Sequence, residues 1–330
     1  MQEFPAWQRE NWQEAEGNPI VGYFGPEKKK FAIGDPQILL PGEFDKKWHM
    51  FYHGFYENFK PYYHHLVSTD GWEWNLVNKW QWDVGPCYLF KGSDRWFLYY
   101  TNVVSENPVL RTRYHADMII SAKWSFDLEV WSEPFDVVVP ELRFECEGKK
   151  VEVRNPCMIK LSENCYRLYY SAGNVWLDRC DYEEPMYVTF ADAPTPFGPF
   201  VKYGRPVLEP RRECPYGNLG TGGFKVYRWK KYYVALYNPI YLDAAGMPRS
   251  AIAVAVSKNG IHWQDAPYNP IILPDERFPW KKAIVYQLDL VRVNDTLRLY
   301  YNARDEWLDG IERIGCSIYH GEDLDIEKLY

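Results

Sequence analysis

The chain has 330 residues and a formal net charge of −7, and 18% of its residues are aromatic. The acidic balance argues against nucleic acid as a partner, because phosphate binding needs concentrated positive charge. The first residues do not read as a secretory leader, which would have a basic segment followed by an apolar one. No apolar run reaches the ~18 residues of a membrane span. We therefore expect a cytoplasmic protein with no membrane partner. Seven scattered cysteines without a CxxC pair predict neither a disulfide framework nor a zinc site, and no cofactor is predicted.

Five segments of the chain repeat one order of strands. A short apolar first strand recurs at 35–39, 85–89, 155–159, 223–226 and 287–291. A second strand that ends in an aromatic pair, or nearly so, recurs at 48–52, 96–100, 166–170, 232–237 and 297–301. Third strands follow at 65–68, 118–121, 187–191, 252–257 and 314–318. Several of them run into a tight turn, such as Asp70-Gly71 or Asn259-Gly260, and then a Trp that begins an outer fourth strand.

Four-stranded units repeated five times predict an all-β fold, a five-bladed β-propeller with four-stranded antiparallel blades. We expect one domain over residues 1–330, because no linker or shift in composition divides the chain. The fifth repeat lacks a fourth strand, and the segment 19–31 is expected to supply it and close the ring.

Chemistry is expected at one end of this propeller. In a four-stranded antiparallel blade, the start of the first strand and the connection between the second and third strands lie at the same end. These connections are long and polar here, at 54–63, 102–117, 173–185, 239–249 and 303–313. Long loops on one face of a rigid scaffold commonly carry function.

Three carboxylates fall near that end of the blades. Asp35 opens the first inner strand before Pro36, Asp83 precedes the second, and Glu184 begins the outer hairpin of blade 3. Glycoside hydrolysis with inversion needs a base and an acid on two carboxyl groups, and a third carboxylate raises the pKa of the acid. Each residue also has a structural interpretation, as a turn residue before proline, a strand-start residue or part of an exposed acidic loop.

Sugar rings stack on aromatic faces, and polar side chains bind their hydroxyl groups. The aromatic residues of the funnel-side loops are Phe55, Tyr56, Phe59, Trp176, Tyr241 and Trp307. The polar residues expected to bind substrate are His53, His115, Arg154, Asn155, Asp289 and Arg304. Arg154 is equally well explained as the ion-pair partner of Glu152 or Asp83. The predicted partner is therefore a small-molecule carbohydrate.

The repeats, the Gly34-Asp35-Pro36 motif and the turns at 68–72 and 257–263 resemble the five-bladed glycoside hydrolases of family 43. Family 62 is similarly close, and families 32, 68 and 130 are more distant. The resemblance implies that Asp35 is the general base and that Asp83 tunes the pKa of the acid. In family 43 the general acid is the Glu of a Glu-Gly-Pro motif that opens blade 3, where this chain has Arg154-Asn155-Pro156.

That difference leaves three hypotheses. In the first, the chain is an inverting glycosidase of carbohydrate metabolism, with Glu184 as the acid, or Glu152 as a second choice. Its substrate is a small saccharide or glycoside, and pentosides are the commonest substrates of the family. In the second, it is an inverting phosphorylase like those of family 130, with arginines that bind phosphate. In the third, it binds carbohydrate without catalysis.

Overall fold

Five antiparallel sheets surround a common axis in the computed structural model, which describes residues 3–22, 31–55 and 60–330. The first three sheets each have four strands in sequence order from the axis outward. The fourth sheet adds two short strands to its four, and the fifth takes its outermost strand from the start of the chain. The predicted five-bladed β-propeller is thus confirmed. Tyr56 and Phe59, two of the aromatic residues expected to stack on a sugar, lie outside the described residues.

The first three blades are consecutive in the chain. The strands of blade 1 are Ala32–Leu39, Trp48–Phe55, Pro61–Ser68 and Asn75–Trp80. Those of blade 2 are Val84–Lys91, Trp96–Val103, Met118–Ser125 and Phe135–Val138. Those of blade 3 are Val153–Ser162, Cys165–Leu177, Tyr182–Ala193 and Val201–Lys202.

Blades 4 and 5 include strands from elsewhere in the chain. The strands of blade 4 are Gly220–Trp229, Tyr232–Leu242, Ala253–Ser257 and Trp263–Asp265, with Pro248–Ser250 and Ile326–Lys328 added to them. Those of blade 5 are Ile284–Val293, Thr296–Arg304, Glu312–Tyr319 and Trp12–Glu14. Helical segments are Pro108–Tyr114 (α) and Arg9–Asn11, Arg143–Cys146 and Pro279–Lys281 (3₁₀). Across the described ranges, no helix is both long and apolar enough to cross a membrane.

The ring closes through Trp12–Glu14, which pairs with Glu312–Tyr319 as the fourth strand of blade 5. The expectation that the segment 19–31 supplies this strand was wrong. Within that segment Val21 forms only a single bridge to Ile314, and residues 23–30 lie outside the described residues. Trp12 anchors this strand, because its ring is buried and packs against Tyr319 with ring centroids 5.3 Å apart.

Tyrosine doublets on the second strands tie neighbouring blades together. Both rings are buried in each of the doublets Tyr99-Tyr100, Tyr169-Tyr170 and Tyr300-Tyr301. The first hydroxyl of each doublet donates to a backbone carbonyl of the next blade, namely Pro196 (2.5 Å), Gly260 (2.6 Å) and Gly71 (3.0 Å). The high aromatic content therefore serves the contacts between blades as well as the core.

Candidate active site

A cavity of about 520 Å³ opens at one end of the propeller axis. It is lined by the starts of the inner strands and by the connections between second and third strands, the two sets of residues expected at this end. Six acidic residues are among the described residues that line it: Asp35, Asp181, Glu183, Glu184, Asp309 and Glu312. Two arginines, Arg154 and Arg304, also line it. The funnel is thus rich in carboxylates.

A β-bulge in every inner strand forms the floor of this cavity. The ladder skips two residues in each blade: Asp35-Pro36, Gly85-Pro86, Asn155-Pro156, Gly222-Gly223 and Tyr286-Gln287. A bulge redirects a side chain out of the regular pleat, here toward the axis. Asp35 and Asn155 accommodate the bulge with φ of 52° and 56°, a left-handed conformation that Asp and Asn tolerate better than most residues. Asp35 is the carboxylate in this ring of equivalent positions.

Asp35 is held between two basic side chains. Its own side chain is 1% exposed. Its Oδ1 lies 3.5 Å from Lys225 Nζ, and its Oδ2 lies 3.2 Å from His53 Nδ1. The backbone N–H of Asp35 donates to Asn302 Oδ1 at 3.4 Å. These contacts fix the carboxyl group at the floor of the funnel.

Glu184 enters the cavity from the long hairpin of blade 3. The two strands of this hairpin continue past the start of the inner strand and pair Glu184 with Val175. The hairpin packs closely on blade 4, where a Cβ at Gly220 would lie only 2.3 Å from Pro185 O. Burial raises the pKa of Glu184 to about 7, and the nearby Arg154 opposes part of this rise. Glu184 is therefore partly protonated at neutral pH.

Glu312 is an acidic residue of the cavity that the sequence analysis did not single out. It opens the third strand of blade 5, opposite Arg304, and its Oε2 accepts a hydrogen bond from Asn302 Nδ2 at 3.2 Å. Burial raises its pKa, and its negative charge in turn contributes to the raised pKa of Glu184. The available signal was its place in the loop 303–313, already assigned to the funnel face.

Arg154 is engaged by acidic neighbours. Its Nε lies 3.3 Å from Glu152 Oε1, and its Nη2 donates to the backbone carbonyl of Glu183 at 2.9 Å. The same Nη2 is 4.0 Å from Glu184 Oε2. The ion pair with Glu152 weighed in the sequence analysis is thus present, and Arg154 also reaches the cavity. Its neighbour Asn155 donates from Nδ2 to Ser171 Oγ at 3.2 Å.

Three further expected residues line the cavity. His53 and Phe55 pack edge to face, with ring centroids 5.7 Å apart. Arg304 lies over the Tyr182 ring at 5.1 Å, and Tyr182 and Tyr286 are joined through their hydroxyl groups. This part of the wall combines an apolar face with polar donors, as a sugar site requires.

Six expected residues within the described ranges are not among those that line the cavity, namely Asp83, His115, Trp176, Tyr241, Asp289 and Trp307. Asp83 is exposed, because the bulge position of blade 2 is Gly85, two residues further along the chain. His115 is exposed after the helix Pro108–Tyr114. Trp176 lies under Lys149, whose Nζ is 3.7 Å from the ring centroid. Asp289 is buried, and its carboxylate accepts hydrogen bonds from the protein.

Metal ligands do not cluster in the described part of the chain, where no group of three or more His, Cys, Asp or Glu residues is arranged to hold an ion. In sequence, the chain matches no family model and no curated protein.

Solved structures resemble the chain over between 73% and 96% of its length. The catalytic domain of the family 62 α-L-arabinofuranosidase of Coprinopsis cinerea has a TM-score of 0.68 at 14% identity, over 96% of this chain and 98% of that one. The β-1,2-mannobiose phosphorylase of Listeria innocua has a TM-score of 0.64 at 12% identity, over 94% and 97%. A thermostable family 43 glycoside hydrolase has a TM-score of 0.54 at 21% identity, over 73% and 77%. The predicted resemblance is confirmed at the level of the propeller fold, which hydrolases and a phosphorylase share.

Proposed function

We propose that this protein is an inverting glycoside hydrolase and that the funnel cavity is its active site. The proposal depends on one observation: Asp35 and Glu184 line the same cavity, and the pKa of Glu184 is raised to about 7. Glycoside hydrolysis needs an acid and a base on two carboxyl groups, and a raised pKa suits the one that acts as the acid.

In the proposed mechanism, protonated Glu184 donates its proton to the glycosidic oxygen as the bond to the anomeric carbon breaks. Asp35 accepts a proton from a water molecule, and the water oxygen bonds to the anomeric carbon from the opposite face. The products are a free sugar of inverted configuration and the departed alcohol. Asp35 then carries a proton and Glu184 a charge, and exchange with solvent restores both.

Glu312 takes the role that the sequence analysis gave to Asp83. A carboxylate near the acid disfavours ionisation of the acid, and the charge of Glu312 acts on Glu184 in this sense. Glu312 also interacts with Asp35 and His53 on the other side of the cavity. It therefore links the proposed base and the proposed acid.

Phosphorolysis is the second candidate, and Arg154 and Arg304 are the observation that favours it. The charge balance favours hydrolysis instead, since six acidic residues line the cavity beside these two arginines. Arg154 is already engaged by Glu152 and by the backbone of Glu183. A phosphate dianion entering this cavity would meet net negative charge.

A panel of aryl glycosides, headed by α-L-arabinofuranosides and β-D-xylosides, tests the proposal when each is assayed with and without phosphate. Release of the phenol without phosphate supports the hydrolase, and the same rate is expected when phosphate is added. Release only with phosphate would instead identify a phosphorylase. Saturable sugar binding without product in either buffer would identify a carbohydrate-binding propeller.

A further inference from the structure

The axis beneath the funnel floor is occupied by a lysine. Lys225 extends from the inner strand of blade 4, and its side chain is 2% exposed. Its Nζ donates to the backbone carbonyls of Cys87 at 3.2 Å and Pro156 at 3.3 Å, and lies 3.5 Å from Asp35 Oδ1. One ammonium group therefore joins four blades at their centre.

The groups around this ammonium follow from the bulges. Bulged backbone no longer pairs in the ladder, so its carbonyl groups need other donors. Gln37 supplies one set, because its Nε2 donates to the carbonyls of Asp35, Pro36 and Cys87, each at 3.2 Å. Lys225 donates to the bulge carbonyl of Pro156 and shares with Gln37 the carbonyl of Cys87, the residue after the blade 2 bulge. Of the two side chains, only Lys225 is charged.

A buried ammonium is costly unless it is paired and hydrogen-bonded. Asp35 is the carboxylate in contact with Lys225 among the described residues, and the two carbonyls satisfy the remaining N–H groups. The contact engages Oδ1 of Asp35 and leaves Oδ2 on the side of His53. Lys225 and His53 thus hold the two oxygens of Asp35 from opposite sides and orient its carboxyl group.

We propose that Lys225 is the positioning residue of Asp35 and that its side chain occupies a binding site for a small primary ammonium ion on the propeller axis. The catalytic part of this proposal depends on the function proposed above, whereas the ammonium site does not. Truncation of the side chain should leave a cavity of matching shape and charge, open to a free amine from the funnel side.

Three variants test the proposal: Lys225→Met, Lys225→Ala and the matched control Lys328→Met. Lys328 is a half-buried lysine that pairs with Asp289 at 2.6 Å and not with Asp35. Loss of the positioning contact should lower kcat of Lys225→Met about 100-fold while KM stays close to that of the wild type. Lys328→Met should lose thermal stability and keep its kcat. Equal loss of kcat in the two methionine variants would show that Lys225 is merely structural.

Methylammonium provides the second readout. It should restore part of the kcat of Lys225→Ala and, with no substrate present, raise its Tm by at least about 2 °C at saturation. Sodium at the same ionic strength and tetramethylammonium should do neither, and the wild type should not respond. A Tm of Lys225→Ala that is indifferent to methylammonium would overturn the ammonium site. If the wild type hydrolyses no glycoside, the proposed function fails, while this Tm measurement still tests the site.

Discussion

Asp35 and Asp289 are both buried on inner strands, and each contacts a lysine, but their surroundings differ. Asp289 accepts hydrogen bonds from Ile38 N at 2.7 Å, Lys328 Nζ at 2.6 Å and Tyr227 Oη at 3.0 Å. Asp35 lies further from its lysine, at 3.5 Å, and its Oδ2 makes no hydrogen bond within the described residues.

Under the proposed function, the difference separates a structural carboxylate, Asp289, from the proposed base, Asp35. Buried polar groups in folded proteins are nearly always satisfied, so an incompletely satisfied one at a cavity suggests function. Asp289 joins the inner strands of blades 1, 4 and 5 to the strand Ile326–Lys328 through the hydrogen bonds it accepts from Ile38, Tyr227 and Lys328. Asp35 has one oxygen, Oδ2, that lies 3.2 Å from His53 Nδ1 and accepts no hydrogen bond from the described residues.

The largest expected effect is that of Asp35→Asn. The amide keeps the shape of the side chain but cannot accept a proton from water, so kcat should fall about 10³-fold or more. The substitution also leaves the buried Lys225 ammonium without its carboxylate, so the Tm should fall as well, and circular dichroism would check that the variant is folded at the assay temperature. Unchanged turnover in a purified, folded variant would refute the role of Asp35 as base.

Glu184→Gln should show an effect that depends on the leaving group. A glycoside with an alkyl aglycone needs a proton on the departing oxygen, so kcat should fall about 100-fold. A 2,4-dinitrophenyl glycoside needs no such proton, and its rate should change little. Steady-state rates with both substrates give the comparison, and an equal loss for the two would contradict the role of Glu184 as acid.

Asp289→Asn should affect stability instead of turnover. The substitution leaves the Lys328 ammonium without its carboxylate, which should cost about 3 kcal/mol of unfolding free energy. Urea unfolding measures this cost, and the folded variant should keep its kcat and KM. A raised KM with unchanged stability would instead show that Asp289 binds substrate, as the sequence analysis predicted.

Glu312→Gln should change the pH profile most visibly. Because the pKa of Glu184 is about 7, the protonated acid is lost, and kcat/KM falls, as the pH rises through 7. Removal of the negative charge of Glu312 lowers the pKa of Glu184, so this limb should move to lower pH by about half a unit. Profiles of kcat/KM between pH 5 and 9 would check the shift. A limb that does not move would show that Glu312 does not tune the acid.

The fold and the place of Asp35 at the start of an inner strand could be predicted from the sequence, because both follow from local patterns. The tyrosine doublets and the turns at Asp70-Gly71 and Asn259-Gly260 mark the strands of each blade, and the two turn glycines have φ of 79° and 68°. Asp35 is adjacent to Pro36 at a strand start. Its position on the axis follows once the repeats are recognised.

The rest of the site depends on pairing between distant strands. A bulge is defined by the count of residues on both partner strands, so the equivalence of Asp35 with Gly85 rather than Asp83 is not visible in one segment. Asp289 lies two residues, about 7 Å of strand, past its own bulge, and so beyond the cavity. Lys225 stands on a blade remote in sequence from its partner Asp35, 190 residues away.

The configuration of the first product tests the central claim most directly. With a substrate from the aryl glycoside panel, ¹H NMR of the wild-type reaction in its first minutes distinguishes the two anomers of the released sugar before they equilibrate. If Asp35 activates water opposite Glu184, the sugar appears first with inverted configuration. A product of retained configuration would require a covalent glycosyl-enzyme intermediate and would contradict the assignment of Asp35 as a base.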